Sequence, residues 1–269
     1  MRFLATSDLH YPWEMTRMTF LRENGYSEQL YTSDFAICRE DADFDAFLGV
    51  GDYFWDVTKL GGSHMQRLIS FPVILGNVFR FIRTLPVSKP KLFVAGNHDW
   101  WIEQKVVQHV EDIDGTASGV IISIEILRRH HPEAPAELWK DMTKACAREL
   151  GVKAQRDGSL FLDIPNVFFL NGSAAVVGDV AVIGASDPTH ITAAFESLKS
   201  MARLPRTVIA AVHAPGNVTA GLRAVDSLSP APVGLMVYGH YHSSTPSRVG
   251  RVRSVMLEHN GFKFVPLDV

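Results

Sequence analysis

Arg2-Phe3-Leu4-Ala5-Thr6-Ser7-Asp8-Leu9-His10 is a short apolar run that ends in an Asp-x-His. Residues 2–6 read as a buried strand, and the polar pair sits just past its end. The same grammar recurs along the chain. Phe44 to Val50 runs into Gly51-Asp52, and Lys91 to Ala95 runs into Gly96-Asn97-His98-Asp99. Thr207 to Val212 ends at His213, and Leu235 to Tyr238 ends at Gly239-His240-Tyr241-His242. The segments between the first three runs are long enough to cross over a sheet, which predicts parallel βαβ units.

Between these runs the pattern is less regular. Residues 11–43 read as a mixed connection with a helix. Residues 64–85 read as helical, with Pro72 as a kink or break. Residues 100–158 are a long excursion, read as a helical, cap-like insertion within a single domain spanning 1–269. An insertion of that length either shapes a pocket or serves structure or dimerisation. Its clearest element is a helix over 136–150, where Leu138, Met142, Cys146 and Leu150 fall on one face and Gly151 closes the end. Residues 120–127 fit helix or strand. From residue 159 the chain is strand-rich: Leu160–Ile164, Val167–Leu170, Ala174–Val177 and Val180–Ile183, with a turn at Gly178-Asp179. Arg251–Glu258 and Phe262–Leu267 flank Asn260-Gly261, which predicts a hairpin.

Composition narrows the function classes. The chain has 269 residues, 46% apolar and 20% charged, with a net charge of −3. That balance is globular and gives no basic footprint for long nucleic acid. Cys38 and Cys146 are too few for a disulfide framework and read as reduced packing residues. The first strand leaves no room for a signal peptide, and no stretch is apolar enough for a membrane helix, so a cytoplasmic protein is expected.

The residues after the strands have a common chemistry. Asp8 and His10, two apart, share a face and can address one ion. Asp52 has two oxygens and can bridge two ions. Asn97 offers a neutral oxygen, and His213, His240 and His242 offer nitrogens. A nitrogen and oxygen set without thiolate suits divalent Mn, Fe, Zn, Co or Ni. Two divalent ions would leave net positive charge after Asp8, Asp52 and a hydroxide are counted, which favours an anionic substrate such as a phosphate ester.

This combination, from residue 8 to residue 242, resembles the signature of calcineurin-like metallophosphoesterases. The resemblance implies a four-layer αββα sandwich with two mixed sheets and the site at the strand C-terminal ends. It implies that Asp8, His10, Asp52 and His242 hold one metal, and Asp52, Asn97, His213 and His240 the other. It further implies that His98 contacts the phosphate or protonates the leaving oxygen, with Asp99 orienting that imidazole. A hydroxide bridging the two metals would then be the nucleophile. The family often carries Gly-Asp-x-x-Asp-Arg at the second motif, whereas this chain has Trp55 and Asp56 there. That argues against the protein phosphatase branch and for a phosphodiesterase, with a phosphomonoesterase or a non-catalytic scaffold as alternatives.

Trp13, Trp55, Trp100 and Trp101 lie beside motifs and form a candidate aromatic platform for a nucleobase or another flat group. The expected partner is therefore a phosphorylated small molecule or nucleotide. Asp187-Pro188-Thr189-His190 also follows a strand and reads as a turn in preference to a further part of the same rim.

Overall fold

The structure, a computed structural model, describes residues 1–8, 44–53, 71–72, 75–76, 78–79, 82–83, 85–97, 99, 102–104, 119–130, 132–186, 188–201, 205–214, 218–240, 248–249, 252–257 and 265–269. Alternation along the first strands decides the layering. In β1 (Arg2–Thr6), Phe3 and Ala5 face one core cluster while Leu4 faces another. In β2 (Ala46–Val50), Ala46, Leu48 and Val50 point inward and Phe47 outward. In β3 (Lys91–Val94), Leu92 and Val94 oppose Phe93. A strand buried on both faces must have a layer on each side.

The first sheet has the order β14-β1-β2-β3-β7. Strand β1 runs parallel to β2, β2 to β3, and β3 to β7 (Val167–Phe169), while β14 (Val265–Asp268) is antiparallel at the edge. The second sheet has the order β12-β13-β11-β10-β9-β8. Its parallel centre is β9 (Val180–Ala185), β10 (Thr207–Val212), β11 (Val233–Tyr238) and β13 (Val252–Met256). The edges β8 (Ser173–Val177) and β12 (Arg248–Val249) are antiparallel.

The two sheets bury a common core, in which Phe3, Leu48 and Leu92 meet Val182, Ile209 and Val237. On the outer face of the first sheet, Phe47 and Phe93 pack with helical Phe71, Leu75 and Phe79 and with the helix Ala136–Leu150. On the outer face of the second, Ile183 and Ala210 pack with the helices Pro188–Lys199 and Val218–Leu228 through Ile191, Phe195 and Val225. The result is a four-layer αββα sandwich with two mixed sheets.

The excursion holds helices at Ile124–His130 and Ala136–Leu150, and also strands β4 (Ile102–Gln104) and β5 (Gly119–Ile122). These pair with β6 (Leu160–Asp163) as a small antiparallel sheet. Residues 120–127 are thus both things expected of them, strand first and helix after Ser123. The helix 136–150 ends at Gly151, whose φ of 69° closes it as expected. Its anchor in the first turn differs, because Trp139 is buried while Leu138 is only partly so. Turning the larger ring inward removes more apolar surface from water.

Three further points depart from the sequence reading. Strands β13 and β14 do not form a hairpin, since β13 pairs with β11 and β12 while β14 pairs with β1 in the other sheet. The helices Pro188–Lys199 and Val218–Leu228 were not anticipated. Of the run Asp187-Pro188-Thr189-His190, Asp187 lies outside the described residues and Pro188 to His190 begin the first of these helices. Residues 11–43, much of 64–85, and Cys38 lie outside the described residues.

Candidate metal centre

Parallel strands deliver their C-terminal ends to one edge of a sheet, and here both sheets deliver theirs together. Asp8 follows β1, Asp52 follows β2, Asn97 follows β3, His213 follows β10 and His240 follows β11. The N–H of Asp8 donates to the Gly51 carbonyl at 3.0 Å, joining the ends of β1 and β2. The N–H of His240 reaches the Asp8 carboxylate at 3.1 Å, joining the second sheet to the first.

Backbone conformation marks the same positions. Non-glycine residues with positive φ are Asp8 (56°), Asp52 (54°), His240 (72°) and Asn166 (57°) among the described residues. Asn, Asp and His are the non-glycine residues that enter this region most readily, and three of these four positions gather at one edge. The turns also need room. A Cβ on Gly96 would collide with the Asp52 carboxylate and backbone N, and one on Gly239 would collide with Ser7 Oγ and the Asp8 carboxylate.

His213 is fully buried. Its Nδ1 lies 2.8 Å from the Val50 carbonyl, which accepts its proton and so fixes the ring. Its Nε2 faces Asp52 Oδ2 at 3.2 Å and Asn97 Oδ1 at 3.1 Å. Burial alone would lower the imidazole, but the Asp52 hydrogen bond and the charges of Asp52 and Asp8 outweigh it and raise the pKa to about 9. The buried carboxylates thus create a demand for positive charge at the Nε2 position. Ligand atoms of Asp52, His213 and His240 lie within 4.8 Å of one another. That spacing, with nitrogen and carboxylate oxygen donors, is within reach of a single ion. The donor set therefore fits a divalent metal.

The surroundings hold these groups. Ser7 Oγ lies within hydrogen-bond distance of both Asp8 Oδ2 and the Val50 carbonyl, which its single proton serves in turn. Tyr53 is buried, accepts the Gly51 N–H at 3.0 Å and donates to the Val94 carbonyl at 2.8 Å. Burial, followed by the charge of Asp99, pushes its phenol well above the ordinary value, so it stays protonated. Asp99 accepts the N–H groups of Tyr53 at 3.1 Å and Gly96 at 2.8 Å, tying the second motif to the third. Ser7, Tyr53 and Asp99 thus form a rigid collar beneath the donors. Ser7 and Tyr53 were missed in the sequence, although both adjoin a predicted ligand.

A calcineurin-like phosphoesterase family model matches residues 1–244. The chain belongs to that family. Among solved structures it is similar to a candidate 5'-nucleotidase from Staphylococcus aureus in complex with alpha-ketoglutarate. The identity is 15%, the TM-score 0.41, and the match covers 95% of this chain and 48% of that one, so this chain spans about half that length. No curated protein matches.

Of the residues expected in the phosphoesterase site, the structure brings together Asp8, Asp52, Asn97, His213 and His240, with Asp99 beside them. His10, His98, His242, Trp13, Trp55, Trp100 and Trp101 lie outside the described residues. The fifth tryptophan, Trp139, is a core residue far from the motifs in sequence. No helix among the described residues is long and apolar enough to cross a membrane.

Proposed function

We propose that this chain is a dinuclear phosphodiesterase acting on a phosphorylated small molecule or nucleotide. The supporting observation is the junction at which His213 Nε2 meets Asp52 and Asn97 while Asp8 receives the His240 N–H. In this reading Asp8, His10, Asp52 and His242 hold one metal, and Asp52, Asn97, His213 and His240 hold the second. The ions, when bound, supply Lewis acidity that activates water near neutral pH and offsets the charge of a phosphate.

The chain's own residues then do the positioning. Val50 keeps the His213 ring in one orientation, and Asp99 holds the Gly96 turn that carries Asn97. His98 gives a proton to the leaving oxygen. The preference for a diester rests on Trp55 and Asp56, where the protein phosphatase branch of the family carries Asp-Arg. A monoesterase is the second reading, because the donor set suits either ester. The chain acts as one cytoplasmic domain.

The test is hydrolysis of bis(p-nitrophenyl) phosphate and p-nitrophenyl phosphate by protein loaded in turn with Mn, Fe, Zn, Co or Ni. The expected result is faster turnover of the diester, with about a hundredfold loss in Asp52→Asn. Faster turnover of the monoester replaces the diesterase reading by the second one. Equal inertness of wild type and Asp52→Asn with every metal sinks both.

A further inference from the structure

The end of β9 carries a pair that belongs to none of the five motifs. Ala185 pairs with Val212, and beyond that register the N–H groups of His213 and Ala214 donate to the carbonyls of Ala185 and Ser186, each at 3.0 Å. Ser186 therefore lies one strand from His213, a separation of about 4.8 Å between backbones. Its Oγ is 2.8 Å from Nδ1 of His190, which stands on the first turn of the helix Pro188–Lys199. Both residues are half-buried, so neither is a core group and each keeps a face to solvent.

The other side of the imidazole is also placed. His190 Cδ2 lies 3.6 Å from where a Cβ on Gly172 would stand, so the ring covers that glycine. Gly172 adjoins Asn171, whose Oδ1 accepts the Ala95 N–H at 3.0 Å just before Gly96 and Asn97. Backbone hydrogen bonds and packing thus connect His213 and Ala214 to Ser186, Ser186 to His190, and His190 to Gly172, whose neighbour Asn171 bonds Ala95 at the end of β3. The pair therefore stands at the same strand-end edge as His213 and the segment leading to Asn97.

We propose that Ser186 and His190 form the specificity-determining wall for the alcohol portion of the ester, contacting hydroxyl groups such as those of a sugar. The inference rests on the phosphoester hydrolase reading of the adjoining centre. A hydroxyl bonded to an imidazole is a fixed donor–acceptor pair that matches another hydroxyl. The bond also holds the ring in one orientation before substrate arrives, which reduces the ordering needed on binding.

The experiment compares kcat/KM for the p-nitrophenyl ester of thymidine 5'-monophosphate with that for bis(p-nitrophenyl) phosphate, on Mn-loaded protein with metal content measured. The ratio is expected to fall about tenfold in His190→Ala and less in Ser186→Ala, as loss of one hydrogen bond predicts. Lys199→Ala, at the far end of the same helix, serves as the control with an unchanged ratio. A merely structural role would lower both substrates together and leave the ratio unmoved, which overturns the proposal. If wild type hydrolyses neither ester, the hydrolase reading fails separately. Calorimetric titration with thymidine 5'-monophosphate and inorganic phosphate then decides. Selective weakening for the nucleotide in His190→Ala supports the wall, and equal affinities overturn it.

Discussion

His213 Nδ1 hydrogen-bonds the Val50 carbonyl at 2.8 Å, a contact 163 residues apart in sequence that links the second sheet to the first. One buried ring therefore serves both fold and site: Nδ1 binds the strand end, and Nε2 faces Asp52 and Asn97. Replacing it removes a donor from Val50 and leaves Asp52 without a partner it has in the interior. His213→Ala is expected to lose at least one metal equivalent per chain and to destabilise the metal-free protein by about 3 kcal/mol. Elemental analysis and urea unfolding check both, and full metal content in the variant would remove His213 from the ligand set.

Gly96 separates two effects that His213 combines. An alanine there introduces only a methyl group, but that methyl lands on the Asp52 carboxylate and backbone N. Gly96→Ala is expected to fold, with an unchanged circular dichroism spectrum, while kcat/KM falls about a hundredfold through misplacement of Asp52. Wild-type turnover in this variant would show that Asp52 does not need its present position.

Tyr53 is predicted to matter through stability. Tyr53→Phe keeps the edge-on packing against Phe93, at 5.3 Å between ring centroids, but strands the Gly51 N–H and the Val94 carbonyl. Leaving buried polar groups unpaired costs about 1–3 kcal/mol. Chemical denaturation should register that loss, and a variant as stable as wild type would mean that water replaces the hydroxyl.

These cases show what could be read in the sequence. Asp8, Asp52, Asn97, His213 and His240 were legible because each follows a strand, and a strand's end is a local pattern. Tyr53 and Ser7 stand beside two of them yet were silent, since their partners Val94 and Val50 are 41 and 43 residues away. The layering was legible only through the family resemblance, because Phe3-Leu4-Ala5 is uniformly apolar and its two faces part only on folding. The partner of a strand was not: Asn260-Gly261 has the local chemistry of a hairpin, but β14 is drawn to the open edge of β1. The helix 136–150 was found with its phase slightly off, because periodicity alone does not weigh Trp139 against Leu138.

Ser7 provides a finer test of the collar. Its hydroxyl proton is shared between the Asp8 carboxylate and the Val50 carbonyl. Ser7→Ala is expected to weaken metal binding about tenfold, as loss of an outer hydrogen bond to a ligand does. Metal competition with a chelating dye measures this directly, and affinity within about twofold of wild type would argue that Asp8 is oriented by backbone alone.

Lys91 makes a prediction about pH at the opposite end of β3. Its side chain is buried, and Nζ donates to the carbonyls of Lys89 at 3.0 Å and Pro165 at 3.2 Å. Burial lowers its pKa from 10.5 to about 8. Between those values the unfolded chain binds the proton and the folded chain does not, so stability rises with pH across that window. Below about 8 the folded protein carries the full penalty of a buried ammonium. Lys91→Met has no such titration. The stability of wild type relative to this variant should therefore improve from pH 7 towards pH 10, roughly the span between the folded and unfolded pKa values. A difference that stays flat across that range would place the ammonium in contact with water after all.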